Sequence, residues 1–222
     1  MTAQKASVLK TFSATTHDMG GRLTKGEGEY IVLLARKAIS AYLKNGERIR
    51  PERGDGALGE NRGVFVTLET FPGKELRGCI GYPLPIKPLS HAVVDNAINA
   101  ATEDPRFPQL RQGELGSIVI EVSALTVPEK IIVKKPLDYI KNIKVGEDGL
   151  IVSYGYSSGL LLPQVPVELG WSPREFLSQT CKKAGLPPDM WLSANISISK
   201  FQAQVFSEKE PNGSVIERKL VE

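Results

Sequence analysis

The order in which strand-like and helix-like stretches follow one another constrains this chain most. Residues 63–68 read as a strand by their β-branched and aromatic content, Pro72-Gly73 marks a turn, and residues 76–81 return as a second strand. The prolines of Tyr82-Pro83-Leu84-Pro85-Ile86-Lys87-Pro88 then forbid a regular element. Helical periodicity follows from Leu89 to Thr102 through Val93, Val94, Ala97, Ile98 and Ala101, ending before Pro105, and residues 117–125 form a strong strand. The same order of hairpin, helix and strand comes a second time. Residues 149–154 are a strand, Ser157-Ser158-Gly159 turns the chain and Leu160-Leu161-Leu162 returns it. Ser172 caps a helix with Pro173 at its first position, running to Gly185, and residues 195–199 and 201–206 alternate as strand. Gly63, Val66, Gly73 and Leu76 recur at one constant offset as Gly149, Val152, Gly159 and Leu162, which suggests a duplicated unit in which Val165 stands where the first copy has Cys79.

This pattern implies an α+β protein with a mixed or antiparallel sheet, flanking helices and two subdomains. Ahead of the first hairpin, Thr24 and Glu27 form a capping box, and Tyr30, Leu33, Leu34, Lys37, Ala38 and Ala41 give helical spacing to about Asn45-Gly46. Residues 1–20 read as a flexible leader, residues 21–207 as the folded region and residues 208–222 as a charged tail. Residues 128–144 read as a connection with a short helix or turn at Leu137-Asp138-Tyr139-Ile140.

The residues that carry chemistry centre on Leu76-Arg77-Gly78-Cys79-Ile80-Gly81. Strand periodicity places Arg77 and Cys79 on one face, where a guanidinium favours thiolate over thiol, and Gly78 and Gly81 leave the backbone open to a ligand. Cys79 is then a nucleophile or thiol ligand, or a small buried hydrophobe. Arg77 is an anion fork, or one half of an internal salt bridge with Glu121 or Asp104. Glu121, inside an apolar strand, is a general base raised by burial, or the structural partner of Arg77 or Arg106. Asp104-Pro105-Arg106-Phe107 either aims Arg106 into a cleft or ties its own loop down with Phe107 in the core. Gln164 can read an amide or carboxyl edge, or satisfy strand-edge backbone groups.

Other classes are disfavoured. The two cysteines, Cys79 and Cys181, and the two histidines, His17 and His91, show no metal-ligand or disulfide spacing, and no phosphate loop follows a strand. A net charge of +3, without an aromatic stacking pattern, argues against nucleic acid, and no apolar run approaches a membrane span. A reducing, cytoplasmic setting fits best.

Taken together, Leu76-Arg77-Gly78-Cys79-Ile80-Gly81, Asp104-Pro105-Arg106-Phe107, Glu121-Val122-Ser123, Gly159-Leu160-Leu161-Leu162-Pro163-Gln164-Val165 and Ala184-Gly185-Leu186-Pro187 resemble the AMMECR-one family over about residues 21–207. The resemblance implies a compact α+β fold of two subdomains and marks Arg77 and Cys79 as site candidates within the family's signature. It also implies association with Memo-type proteins and radical S-adenosylmethionine proteins. The chain lacks a Cys-x3-Cys-x2-Cys motif, so it is not itself the radical enzyme. The expectation is an enzyme or enzyme component, without a metal or cofactor of its own, that binds a small anionic molecule at the Arg77-Cys79 surface. Catalytic roles fall to Cys79, Glu121 and Asp104, and ligand contacts to Arg77, Gly78, Gly81, Arg106 and Gln164. The alternative is a non-catalytic adaptor for a protein partner such as a Memo-type protein.

Overall fold

The computed structural model describes residues 22–51 and 54–219; the leader read over residues 1–20 lies outside them. The chain divides into two compact units, one holding the chain up to Ala124 together with Gln204–Arg218, the other holding Leu125–Ala203.

In the first unit, α1 (Lys25–Asn45) starts at the expected capping box, with the Thr24 side chain accepting from the Glu27 N–H, and stops at Gly46 in the left-handed conformation. Its buried stripe is Ile31, Val32, Leu34, Ala35, Ala38 and Ile39, so Lys37, which the periodicity counted into that face, is exposed. The stripe is broad because α1 meets both the next helix and the C-terminal strand.

Strands β1 (Val64–Thr70) and β2 (Leu76–Tyr82) form the expected hairpin, and β3 (Ile118–Leu125) pairs antiparallel with the other side of β1. Val64, Val66 and Leu68 alternate inward with Ile118, Ile120 and Val122 to make a core with α1 and α2 (Leu89–Thr102). The other face of these strands carries Phe65, Thr67 and Glu69, all half-buried. Gly78 is buried on the helix side: a Cβ there would lie 2.2 Å from the Ala100 carbonyl oxygen. Its missing side chain lets α2 sit directly on β2, which corrects the expectation that this glycine opens the backbone to a ligand.

In the second unit, β4 (Glu129–Lys130), β5 (Asp148–Tyr154) and β6 (Ser157–Leu161) build an antiparallel sheet with residues 197–203 of β7 (Ser197–Glu208). The expected turn at Ser157-Ser158-Gly159 is instead part of β6, and the chain reverses one step earlier, at Gly155-Tyr156, where Gly155 has φ 57°. A short α3 (Gln164–Glu168) precedes α4 (Pro173–Lys183), whose capping box from Ser172 to Glu175 is formed as expected. Phe176, Leu177 and Cys181 of α4 pack on Leu150, Val152 and Ile198.

Both units thus run hairpin, helix, strand, but not at the offset the sequence suggested. In the second unit the glycine pressed against helix backbone is Gly159, 2.4 Å by its would-be Cβ from the Ala184 nitrogen, and it pairs with Val152 as Gly78 pairs with Leu68. By that register Leu160, not Val165, follows the helix-contacting glycine as Cys79 does. The first strands already align two positions off the sequence offset, and hairpin loops of different length add the rest.

The charged C-terminal stretch is not a tail. Residues 204–208 of β7 belong to the first unit, and β8 (Val215–Arg218) pairs with them through Val205, Phe206, Ser207 and Glu208. Glu208 is fully buried because its carboxylate receives both the Arg36 guanidinium and the Ile120 N–H.

Gly78→Ala is expected to destabilise the protein by about 3 kcal/mol, the upper end of overpacking costs. Gly113→Ala, where an added Cβ meets nothing within 4 Å, stays within about 0.5 kcal/mol. Urea denaturation followed by circular dichroism measures both.

Candidate functional site

β2 is the edge strand of its sheet, and its outward backbone groups need partners. At Cys79 both are supplied by the loop after α2: the N–H donates to Asp104 Oδ2 at 2.8 Å, and the C=O accepts from Arg106 Nη2 at 3.3 Å. Arg106 in turn grips Asp104 through Nε at 3.0 Å, Nη2 at 2.7 Å and its own N–H at 3.1 Å. The Asp104 side chain is 2% exposed. The Arg106 guanidinium, with help from the Cys79 and Arg106 N–H groups, holds its carboxyl far below the usual carboxylate range against the opposing effect of burial. This carboxylate is a clamp and carries no proton to give, so the proton-transfer role expected of Asp104 is not supported by its setting. The tie between Asp104 and Arg106 is present as one of the two sequence readings had it, while Phe107 is only half-buried beneath Arg106 and Leu110 takes the place in the core.

With its peptide turned outward, Cys79 forms a non-hydrogen-bonded pair with Thr67, which brings their side chains close. Thr67 Oγ1 donates to Sγ at 3.3 Å, and Thr67 is also the direct cross-strand neighbour of Glu121. A row of Cys79, Thr67 and Glu121 therefore crosses the three strands on the face away from the helices. Burial pushes the Glu121 carboxyl up, Arg218 opposes this through an ion pair, and Glu69 adds to it. The partner of Glu121 is thus Arg218 of β8, a strand that pairs with β7, not Arg77 or Arg106. Gly81 lies under the Phe65 ring, 2.2 Å from its would-be Cβ, so it is covered rather than open.

Arg77 is not brought to Cys79. The β1–β2 register shifts between Leu68 and Glu69, pairing Leu68 with Gly78 but Glu69 with Leu76. Arg77 is the extra residue of that bulge, and strand alternation stops predicting its direction there. Its guanidinium goes to the loop after α2, donating to Glu114 Oε1 at 3.1 Å and Oε2 at 3.4 Å and to the Pro108 carbonyl at 2.9 Å. The cation beside the Cys79 peptide is Arg106. Burial works to raise the Glu114 carboxyl, but the Arg111 N–H and Arg77 outweigh it and leave the group below its ordinary value.

Around Arg77 opens a pocket of about 680 Å³ lined by Arg77, Pro108, Gln109, Leu110, Arg111 and Glu114. That volume lies within the range of about 300–1,000 Å³ usual for small-molecule sites. Arg111 is exposed and forms no ion pair among the described residues. Gln164 is elsewhere, at the start of α3 in the second unit, not on a strand edge; its Oε1 is buried without a hydrogen-bond partner among the described residues. His91 lies in the first turn of α2 with Ser90 Oγ 3.4 Å from Nδ1. Cys181 is buried in the second core, which pushes its thiol up. Among the described residues no group of three or more His, Cys, Asp or Glu is placed to hold a metal ion, and no helix is long and apolar enough to cross a membrane.

Sequence reasoning missed Thr67, Glu114, Arg111 and Arg218. Glu114 and Arg111 lie in a stretch that reads only as a polar link, now a 3-10 turn over Gln112–Ser117 preceded by Arg111, and no local spacing signals their place beside Arg77.

Comparison with known proteins gives one consistent answer. The AMMECR1 family model matches residues 32–206. A protein of Methanopyrus kandleri is 56% identical over 205 residues, covering 92% of this chain and 99% of its own length. One of Methanocaldococcus jannaschii is 54% identical over 199 residues, covering 90% and 98%. The crystal structure of protein PH0010 from Pyrococcus horikoshii matches with a TM-score of 0.77 at 49% identity, over 89% of this chain and 98% of that one.

Asp104→Asn is expected to cost about 2 kcal/mol at pH 7. The folded carboxyl has the lower pKa, so its contribution is complete above the unfolded value of about 3.9 and is lost as pH falls toward the folded value. The stability gap between wild type and variant, from urea curves at several pH values, should hold from pH 5 to 8 and shrink below about pH 4.

Proposed function

The chain belongs to the AMMECR1 family, and on that premise we propose that it binds a small carboxylate- or phosphate-bearing molecule in the pocket beside Arg77. The observation that carries this reading is a fork-shaped cation from the signature strand and a second guanidinium, Arg111, which forms no ion pair among the described residues, both lining one open pocket. Arg77 supplies a planar donor pair fixed by the Pro108 carbonyl, and Arg111 supplies attraction at the rim. Gln109 offers an amide for orientation, and Pro108 offers apolar surface to the rest of the ligand. Asp104, Arg106 and the Cys79 peptide act as the frame that fixes β2 against the loop leading to this pocket. The Cys79 thiol stays on the other side of the bulge, next to Thr67, and the binding reading assigns it no step.

Calorimetric titration of inorganic phosphate and of succinate into the full chain should show saturable binding. Arg111→Ala should weaken it about tenfold, the loss of roughly one charge-assisted contact. Heat that never saturates for either anion removes the reading.

A second reading, a docking surface for a protein partner, is favoured by a different observation. Leu84 and Ile86 on the proline-punctuated link between β2 and α2 are 49% and 59% exposed. If a Memo-type protein seats there, Leu84→Asp with Ile86→Asp abolishes its co-purification and leaves phosphate binding unchanged. Retained co-purification excludes that surface.

A further inference from the structure

Three arginine–carboxylate pairs in the first unit invite comparison. Glu208 is completely buried in the fork of Arg36, and Asp104 is 2% exposed with its contacts to Arg106 at 3.0 and 2.7 Å. In both, the carboxylate is the more enclosed partner. The third pair is reversed, as Arg62–Glu60 also is: the Arg77 side chain is 13% exposed, whereas Glu114 is 37% exposed. Its contacts, 3.1 and 3.4 Å, are longer than the 2.7–2.9 Å or so of a tight charge-assisted bond. An enclosed guanidinium requires an anion in its fork, but nothing in that requirement specifies Glu114.

The Glu114 side chain, unlike the backbone of its turn, is also free to give way. No residue of the Gln112–Ser117 turn is buried, and a Cβ added at Gly113 or Gly116 would meet nothing within 4 Å. Arg36 at the Leu115 carbonyl and Leu115 against the core hold the turn's backbone, so displacement needs only a side-chain rotation of Glu114. If the Glu114 side chain swings out, its carboxylate enters solvent at the pocket mouth. The Arg111 N–H that it accepts from is on an exposed residue, where water can replace it. The Pro108 carbonyl continues to hold Arg77 Nη1.

Resting on the anion-binding reading of this pocket, we propose that Glu114 is a built-in, displaceable occupant of the Arg77 fork, and that the carboxylate- or phosphate-bearing ligand binds by taking its place. Glu114 then sets the affinity. It lowers the fraction of molecules whose fork is open, and the apparent dissociation constant rises by the same factor. It also selects against weak anions, since a ligand must offer Arg77 and Arg111 more than the tethered carboxylate already offers them.

The test is calorimetric titration of inorganic phosphate into the full chain at one ionic strength. Glu114→Gln is expected to bind at least about tenfold more tightly than wild type, and Glu114→Asp, with its shorter reach, to show a smaller gain. The gain should vanish in Arg77→Lys with Glu114→Gln, which keeps the added net charge but lacks the fork. Unchanged or weaker binding in Glu114→Gln, with an unaltered melting curve, overturns displacement; if that variant does not fold, Glu114→Asp decides by the same criterion. Where wild type still binds in an Arg111-dependent way, such a result leaves the pocket reading standing. Absence of phosphate binding in every form overturns both.

Discussion

Arg36 is the point on which the first unit depends. Its guanidinium donates to both oxygens of Glu208, to the Leu115 carbonyl at 2.9 Å and to the Ile118 carbonyl at 2.7 Å. One side chain on α1 thereby fixes the end of β7, the turn that carries Glu114 and the start of β3. An ion this enclosed is tolerable only because its fork is matched by a carboxylate and two carbonyls, and Glu208 is matched again by the Ile120 N–H. The end of β7 is held in place by this arrangement.

A second set of polar contacts solves a different problem, the open edge of β2. Asp104 and Arg106 act there as a surrogate for a neighbouring strand, giving the Cys79 peptide an acceptor and a donor. The two most distinctive motifs of the sequence therefore meet, but backbone to side chain. Asp104, two residues past the end of α2, and the Gly78 contact with α2 hold helix and strand in one register, and the bulge at Arg77 then turns its guanidinium toward the loop. The signature stretch frames a pocket whose remaining walls come from residues without any conspicuous pattern.

Much of the fold was legible because it rests on local rules. Capping boxes at Thr24 and Ser172, proline at a helix start, and alternating β-branched strands are each decided by neighbours within a few residues. The position of the second hairpin turn was missed because Ser157-Ser158-Gly159 has turn composition, whereas Gly159 is needed in the strand to admit the helix backbone. The buried face of α1 was mis-phased because a helix with several packing partners has no single narrow stripe.

By itself the sequence determined the α+β class, the hairpin, helix and strand order and the family. These follow from periodicity, caps and motifs, which are properties of contiguous residues. Only the tertiary structure decided that Arg77 pairs with Glu114, Glu121 with Arg218, Asp104 with the Cys79 peptide, and Arg36 with Glu208. The physical reason is that a charge buried on folding must find a partner wherever packing brings one, and strand register and a single bulge set which partner that is.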